Sequence, residues 1–257
     1  MTVFKKLPDD ILNYLNDFID IKSKVTLFYS KNNNHELIRI CYIKRIIKEY
    51  QHLTDKILQQ SIFEQLIELN ACNNSKINNL NKFHRTLEII NISGYNCGVD
   101  ENGIKDCLKL TKIKANNDKI KNLNKFYQTL NTINIGGRCC DVDDNGIKDC
   151  LKLINIDAFN NKKIKDLNKF HKTLEIINIG SDCGVDDDGI KDCLKLTNIN
   201  TISNLKITDL NKFYQTLKII DVSGFCLVKD NGIKKCFKLT KIYSSGNPTI
   251  NNLNKSF

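Results

Sequence analysis

A period of 43 residues constrains this chain more than any other feature. Gly103, Gly146, Gly189 and Gly232, each opening Gly-Ile-Lys, stand 43 apart, and the Leu-Asn-Lys segments beginning at Leu80, Leu123, Leu167, Leu210 and Leu253 stand 43 or 44 apart. Self-similarity at such a period marks an architecture of stacked units, because one unit cannot bury its apolar stripe alone. Each period holds two copies of apolar-x-x-apolar-x-apolar. The first kind starts at Leu66, Leu110, Leu153, Leu196 and Leu239, and the second at Leu87, Leu130, Leu174 and Leu217. Nine turns of roughly 20 to 23 residues follow from that count.

In Leu174-Glu175-Ile176-Ile177-Asn178-Ile179 the last three residues alternate, so Ile177 and Ile179 share one face of a strand and Asn178 takes the other. After each first-kind strand comes Asn79, Asn122, Asp166, Asp209 or Asn252 directly before Leu, which predicts an N-cap and a short helix. After each second-kind strand Glu101, Asp144, Asp187 or Asp230 is expected at the equivalent cap, with Ile104 and Cys107 facing inward. Strand and helix therefore alternate, with parallel strands on one side of the stack and short helices on the other.

These patterns resemble the leucine-rich repeat. Val142-Asp143-Asp144-Asn145-Gly146-Ile147 with Cys150 is similar to the cysteine-containing subtype found in F-box substrate receptors. The resemblance covers about three quarters of the chain and implies an α/β horseshoe solenoid of about nine parallel strands over residues 61–257. Residues 1–60 are expected to form a helical capping region. Leu7-Pro8-Asp9-Asp10-Ile11-Leu12 opens a helix there, and the stretch from Leu37 through Ile47 is expected to be helical as well. Leu7, Pro8, Ile11, Leu12, Leu15 and Ile19 resemble an F-box; Ile21 and Ser23 replace its usual proline and aspartate. The resemblance implies a non-catalytic substrate receptor of a Skp1-cullin-F-box ubiquitin ligase. Leu7, Pro8, Ile11 and Leu12 would contact a Skp1-type adaptor, and the repeats would present a protein target. A freestanding repeat scaffold without adaptor binding and a basic nucleic-acid binder are the alternatives. Heavy use of Asn, Lys and Ile is similar to proteins of AT-rich genomes such as those of amoebae or their giant DNA viruses.

No apolar run approaches the roughly 20 residues of a membrane span, and the first ten residues lack a secretion-signal core, so a cytoplasmic or nuclear location without a membrane partner is expected. Thirty-nine Lys and Arg against 29 Asp and Glu leave +10. Most lysines recur singly at repeat positions without Arg clusters, which reads as a solvated face rather than a nucleic-acid site. Eleven cysteines follow the repeat: Cys97, Cys140, Cys183 and Cys226 form one series, and Cys107, Cys150, Cys193 and Cys236 another. Nine residues separate the members of each pair, unlike the spacing of zinc ligands, so an inward ladder of small apolar thiols is expected. Asp141-x-Asp143-x-Asn145-Gly146 matches half of a calcium loop, but Lys152 stands where a bidentate Glu is needed. His84 and His171 alternate with Tyr127 and Tyr214 on the convex side, which suits no catalytic base. No cofactor is implied.

Strand alternation places a central row on the concave face: Asn70, Asn91, Lys114, Asn134, Asp157, Asn178, Asn200, Asp221 and Tyr243. Flanking it are Phe159 and Ile202 with Gly180 between them, and Ile176 and Ile219 on the other side. One apolar patch is expected over the fifth to eighth turns, where a protein target would be anchored by Phe159 and Ile176 and rimmed by Asn178 and Asp221.

Overall fold

The computed structural model describes residues 42–251. Within them the chain winds into one open sheet of ten parallel strands, hydrogen-bonded in sequence order. The strands are β1 (Arg45–Ile46), β2 (Glu68–Asn70), β3 (Ile89–Asn91), β4 (Lys112–Lys114), β5 (Thr132–Asn134), β6 (Asn155–Asp157), β7 (Ile176–Asn178), β8 (Asn198–Asn200), β9 (Ile219–Asp221) and β10 (Lys241–Tyr243). The expected nine are β2 to β10, each starting two residues after its leucine. The middle residue of each strand points into the core, and the register stacks them as Leu69, Ile90, Ile113, Ile133 and onward to Ile220 and Ile242. Parallel pairing of three-residue strands holds because each turn returns the chain to the same position one strand further on.

β1 is a correction. Ile43 to Ile47 was expected to be helical, yet Arg45–Ile46 pairs with β2, and Ile43 and Ile46 are buried. Without them Leu66 and Leu69 would stand bare at the sheet edge. The sheet thus begins inside the first sixty residues. Leu7, Pro8, Ile11, Leu12 and the Leu37–Ile40 stretch lie outside the described residues.

The convex side consists of single helical turns, because a unit of about 20 residues leaves no room for more. Asn81–Phe83, Asn124–Phe126, Asn168–Phe170 and Asn211–Phe213 are 3-10 turns, whereas Asp144–Ile147 and Asp230–Ile233 are one-turn α-helices. Phe83, Phe126, Phe170 and Phe213 form a buried column in alternate turns, with Phe63 in the turn directly before Phe83; Ile104 and Cys107 and their repeats fill the turns between. Both cysteine series face inward, and all eight thiols are free.

The predicted caps are one residue out. Gly146 N–H donates to Asp143 Oδ1 at 2.9 Å, as Gly103 does to Asp100 and Gly189 to Asp186. The neighbouring acids act between turns instead. Glu101 Oε1 accepts from the N–H groups of Lys121 and Asn122, and Asp144 Oδ1 from those of Lys165 and Asp166. Asn79, Asn122, Asp166 and Asp209 each accept from the N–H two residues on, but they stand one residue ahead of the N-cap position, which Leu80, Leu123, Leu167 and Leu210 hold without a side-chain bond. The Asn of Leu-Asn-Lys spans turns with both ends of its amide. Asn124 Nδ2 donates to Asn145 O at 2.7 Å while its Oδ1 accepts from Asp149 N–H at 2.9 Å. Only a side chain that both donates and accepts at this reach can do so. The repeated glycine follows from the same closeness: a Cβ on Gly146 would sit 2.0 Å from Lys121 O.

Candidate functional site

The concave sheet exposes three rows of side chains, fixed by the strand register. The central row is the expected one, and each of its residues is partly exposed or exposed. Its amides and carboxylates have a prior task. Asp157 Oδ1 accepts from Phe159 N–H at 3.1 Å, Asn200 Oδ1 from Ile202 N–H at 2.9 Å, and Asp221 Oδ1 from Ser223 N–H at 3.0 Å. These turns end the strands, so one side of each polar head is committed to the fold and the other faces the groove. Asp157 Oδ2 takes a further bond from Asn134 Nδ2 at 2.7 Å. Burial pushes the Asp157 carboxyl above its usual range, countered by the Phe159 N–H, Lys114 and the Asn178 side chain.

The register divides the expected apolar patch. Ile176 and Ile219 stand in the row ahead of the polar one, two strands apart with Asn198 between. Phe159 and Ile202 stand in the row behind it. A Cβ on Gly180 would lie 2.7 Å from Ile202 Cγ2 and 2.9 Å from Phe159 Cδ2, so both side chains lean over this glycine and make one continuous strip. Phe159 is 37% and Ile176 36% exposed, while Ile202, Ile219, Asn178 and Asp221 are partly buried. The result is two apolar strips separated by Asp157, Asn178, Asn200 and Asp221, rather than one patch. Toward the other end of the sheet the groove is charged: a hollow of about 170 Å³ is lined by Glu68, Ile89, Lys112, Lys114 and Asn134, among others.

The calcium-like segment is occupied by the fold. Asp143 caps its helix, and Asp141 pairs with Lys163 and, at 3.7 Å, with Lys121. Among the described residues no group of three or more His, Cys, Asp or Glu is arranged to hold a metal, and no helix is long and apolar enough to cross a membrane.

One ladder was missed in the sequence. Asn74, Asn117, Asn161, Asn204 and Asn247 are buried and recur at 43 or 44 residues; that recurrence, already used for cysteine, was the available signal. Asn161 Nδ2 donates to Ile135 O and Val142 O of the preceding turn, and its Oδ1 accepts from Lys163 N–H. In the alternate turns cysteine takes the same place: Cys140 Sγ donates to Ala115 O at 3.4 Å.

No protein-family model matches the chain, and no curated protein matches it in sequence. Among solved structures, it is similar to the functional domain of InlJ from Listeria monocytogenes, described as including a cysteine ladder. The TM-score is 0.52 at 15% identity, over 82% of this chain and 46% of that one. The chain folds as a leucine-rich-repeat solenoid. A complex of TLR13 with ssRNA13 also matches, with a TM-score of 0.44 at 12% identity, over 72% of this chain and 33% of the other. The present solenoid thus spans less than half the length of either neighbour.

Proposed function

We propose that this solenoid is a non-catalytic interaction scaffold that holds a protein target on its concave face. The observation that carries the reading is the pair of apolar strips, Phe159–Ile202 and Ile176–Ile219, on either side of a polar row whose Oδ atoms are already fixed. Half-exposed apolar anchors beside immobilised polar groups suit a protein surface: burial of the anchors supplies affinity, and little side-chain entropy is lost on docking. Phosphate binding is poorly served here, because Asp157 and Asp221 lie in the central row.

The finer reading is a substrate receptor of a Skp1-cullin-F-box ligase, with Leu7, Pro8, Ile11 and Leu12 contacting the adaptor. Its support is the sequence pattern and its place ahead of cysteine-type repeats. Co-purification with a Skp1-type adaptor tests it: the wild type retains the adaptor, and a Leu7→Ala, Pro8→Ala variant loses it with the melting temperature of the repeats unchanged. Failure of the wild type to retain the adaptor returns the chain to a freestanding scaffold. A photo-crosslinking residue at position 159 tests the concave face separately. Target crosslinks from there, and none from position 108 outside the groove, are the expected result.

A further inference from the structure

The charge of this protein is gathered in space although it is scattered in sequence. From the turn after β2 onward, eight segments form the convex turns and the flank by which the chain climbs from them into the strands: 81–86, 102–109, 124–129, 144–152, 168–173, 188–195, 211–216 and 230–238. Together they hold fifteen Lys and Arg against six Asp, whereas the rest of the chain holds 24 against 23. Nine of the ten excess positive charges therefore lie on this surface, and all fifteen cations except the half-buried Lys82 are exposed. The lysines are solvated, as expected, but stacking converts a residue that recurs once per period into a row.

The same segments carry an apolar row. Leu108, Leu151 and Leu194 are 54 to 56% exposed and Phe237 77%. Each occupies the same place in its turn, directly after a buried ladder cysteine and two residues before the leucine that enters the strand. Hydrogen bonds fix the spacing to the turns between. Thr129 Oγ1 donates to Leu108 O, Thr173 Oγ1 to Leu151 O and Thr216 Oγ1 to Leu194 O, each at 3.1 Å. Exposed Tyr127 and Tyr214 lie in those intervening turns. The four side chains recur at 43 residues, so stacking sets them along the same side of every second turn.

We propose that this flank docks on an anionic lipid bilayer, with Leu108, Leu151, Leu194 and Phe237 entering the boundary between headgroups and acyl chains while the flanking lysines meet the lipid charge. Charge complementarity selects a polyanionic surface. The apolar row selects lipid over nucleic acid, since leucine has no flat face on which a base can stack and gains free energy only by leaving water. The cations agree: fourteen of the fifteen are lysine, a point charge sufficient for a diffuse surface, and Arg85 alone offers the planar fork suited to phosphate and base recognition. This docking leaves the concave groove free, and it stands or falls independently of the target-binding and adaptor readings.

Flotation of the whole chain with phosphatidylcholine vesicles, with and without phosphatidylserine, tests the proposal. The wild type should float with the phosphatidylserine vesicles alone and be released by high salt. A Leu108→Ser, Leu151→Ser, Leu194→Ser, Phe237→Ser variant should bind about tenfold more weakly or worse, with circular dichroism and melting temperature showing that it folds. A second variant on exposed positions, Lys105→Glu, Lys148→Glu, Lys191→Glu and Lys234→Glu, should abolish flotation while leaving every apolar side chain in place. The proposal is overturned if the wild type fails to float, if both folded variants float as well as wild type, or if the wild type binds single-stranded RNA more tightly than vesicles and the serine variant retains that binding.

Discussion

Alternate turns of this solenoid meet one requirement with different chemistry. Where the chain bends away from the sheet, one set of turns buries an asparagine and the other a cysteine. Asn161 serves three backbone groups: it donates to Ile135 O at 2.9 Å and Val142 O at 3.1 Å, and accepts from Lys163 N–H at 2.9 Å. Cys140 serves one, Ala115 O, at a sulfur distance of 3.4 Å. The two carbonyls taken by Asn161 belong to the cysteine turn. One amide thus satisfies a peptide N–H of its own turn and two open carbonyls of its neighbour, which leaves the cysteine little to do except fill volume. The physical unit is therefore the pair of turns, and this explains why the sequence repeats at 43 residues rather than at half that length.

Alkaline pH gives the sharpest test of the thiol side of this comparison. Burial pushes Cys107, Cys150 and Cys193 up to about 12, and Cys140, Cys183 and Cys236 up to about 11, from an ordinary value of 9.0. The unfolded chain therefore loses these protons first. The stability held by neutral buried thiols is complete below pH 9 and drains as pH rises from 9 toward 11 or 12, at about 1.4 kcal/mol per thiol per pH unit. Six such groups predict abrupt unfolding within that window. A urea midpoint that stays constant from pH 8 to pH 11 would show that the thiols are not enclosed.

Truncating the amide comes next in size. Asn161→Ala strands three backbone groups and should cost about 3 to 5 kcal/mol in urea unfolding. Cys140→Ala removes one sulfur atom and one weak bond and should cost about 1 to 2 kcal/mol. Equal losses would dissolve the distinction between the two kinds of turn. The smallest effect is kinetic and leaves stability unchanged. Among the described thiols only Cys139 and Cys72 are partly exposed. Burial, and then Glu49, push the Cys72 thiol up to about 11. A thiol-specific reagent at neutral pH should therefore label Cys139 first, Cys72 slowly, and the ladder positions only on unfolding.

What the sequence disclosed depended on length and strictness of pattern. Nine strands were legible because each follows a fixed leucine and buries its middle residue. β1 was not, since Ile43 and Ile46 stand three apart and two strand residues cannot show an alternation. The cap was misplaced by one residue where two acids adjoin, as at Asp143 and Asp144. Residue type cannot tell which acid reaches its own helix and which reaches the next turn; only the approach of Lys165 and Asp166 decides that. On the concave face the outward residues were legible, but their grouping was not. Ile176 and Phe159 sit four positions apart within the repeat frame, and the register sends them to opposite sides of the polar row. The gathered charge escaped because isolated lysines were judged by their neighbours in sequence instead of by the turns above and below.

The carboxylate and amide staples have one further consequence. Each bond from Asp144 or Asn124 reaches only the adjoining turn, and the group it meets has an equivalent 43 or 44 residues away in either direction. Excising one whole period from the gene would bring together two cut faces already matched in donors, acceptors and shape, and inserting one would do the same. Such a protein can gain or lose reach by recombination within its own coding sequence while each new junction keeps its inter-turn partners.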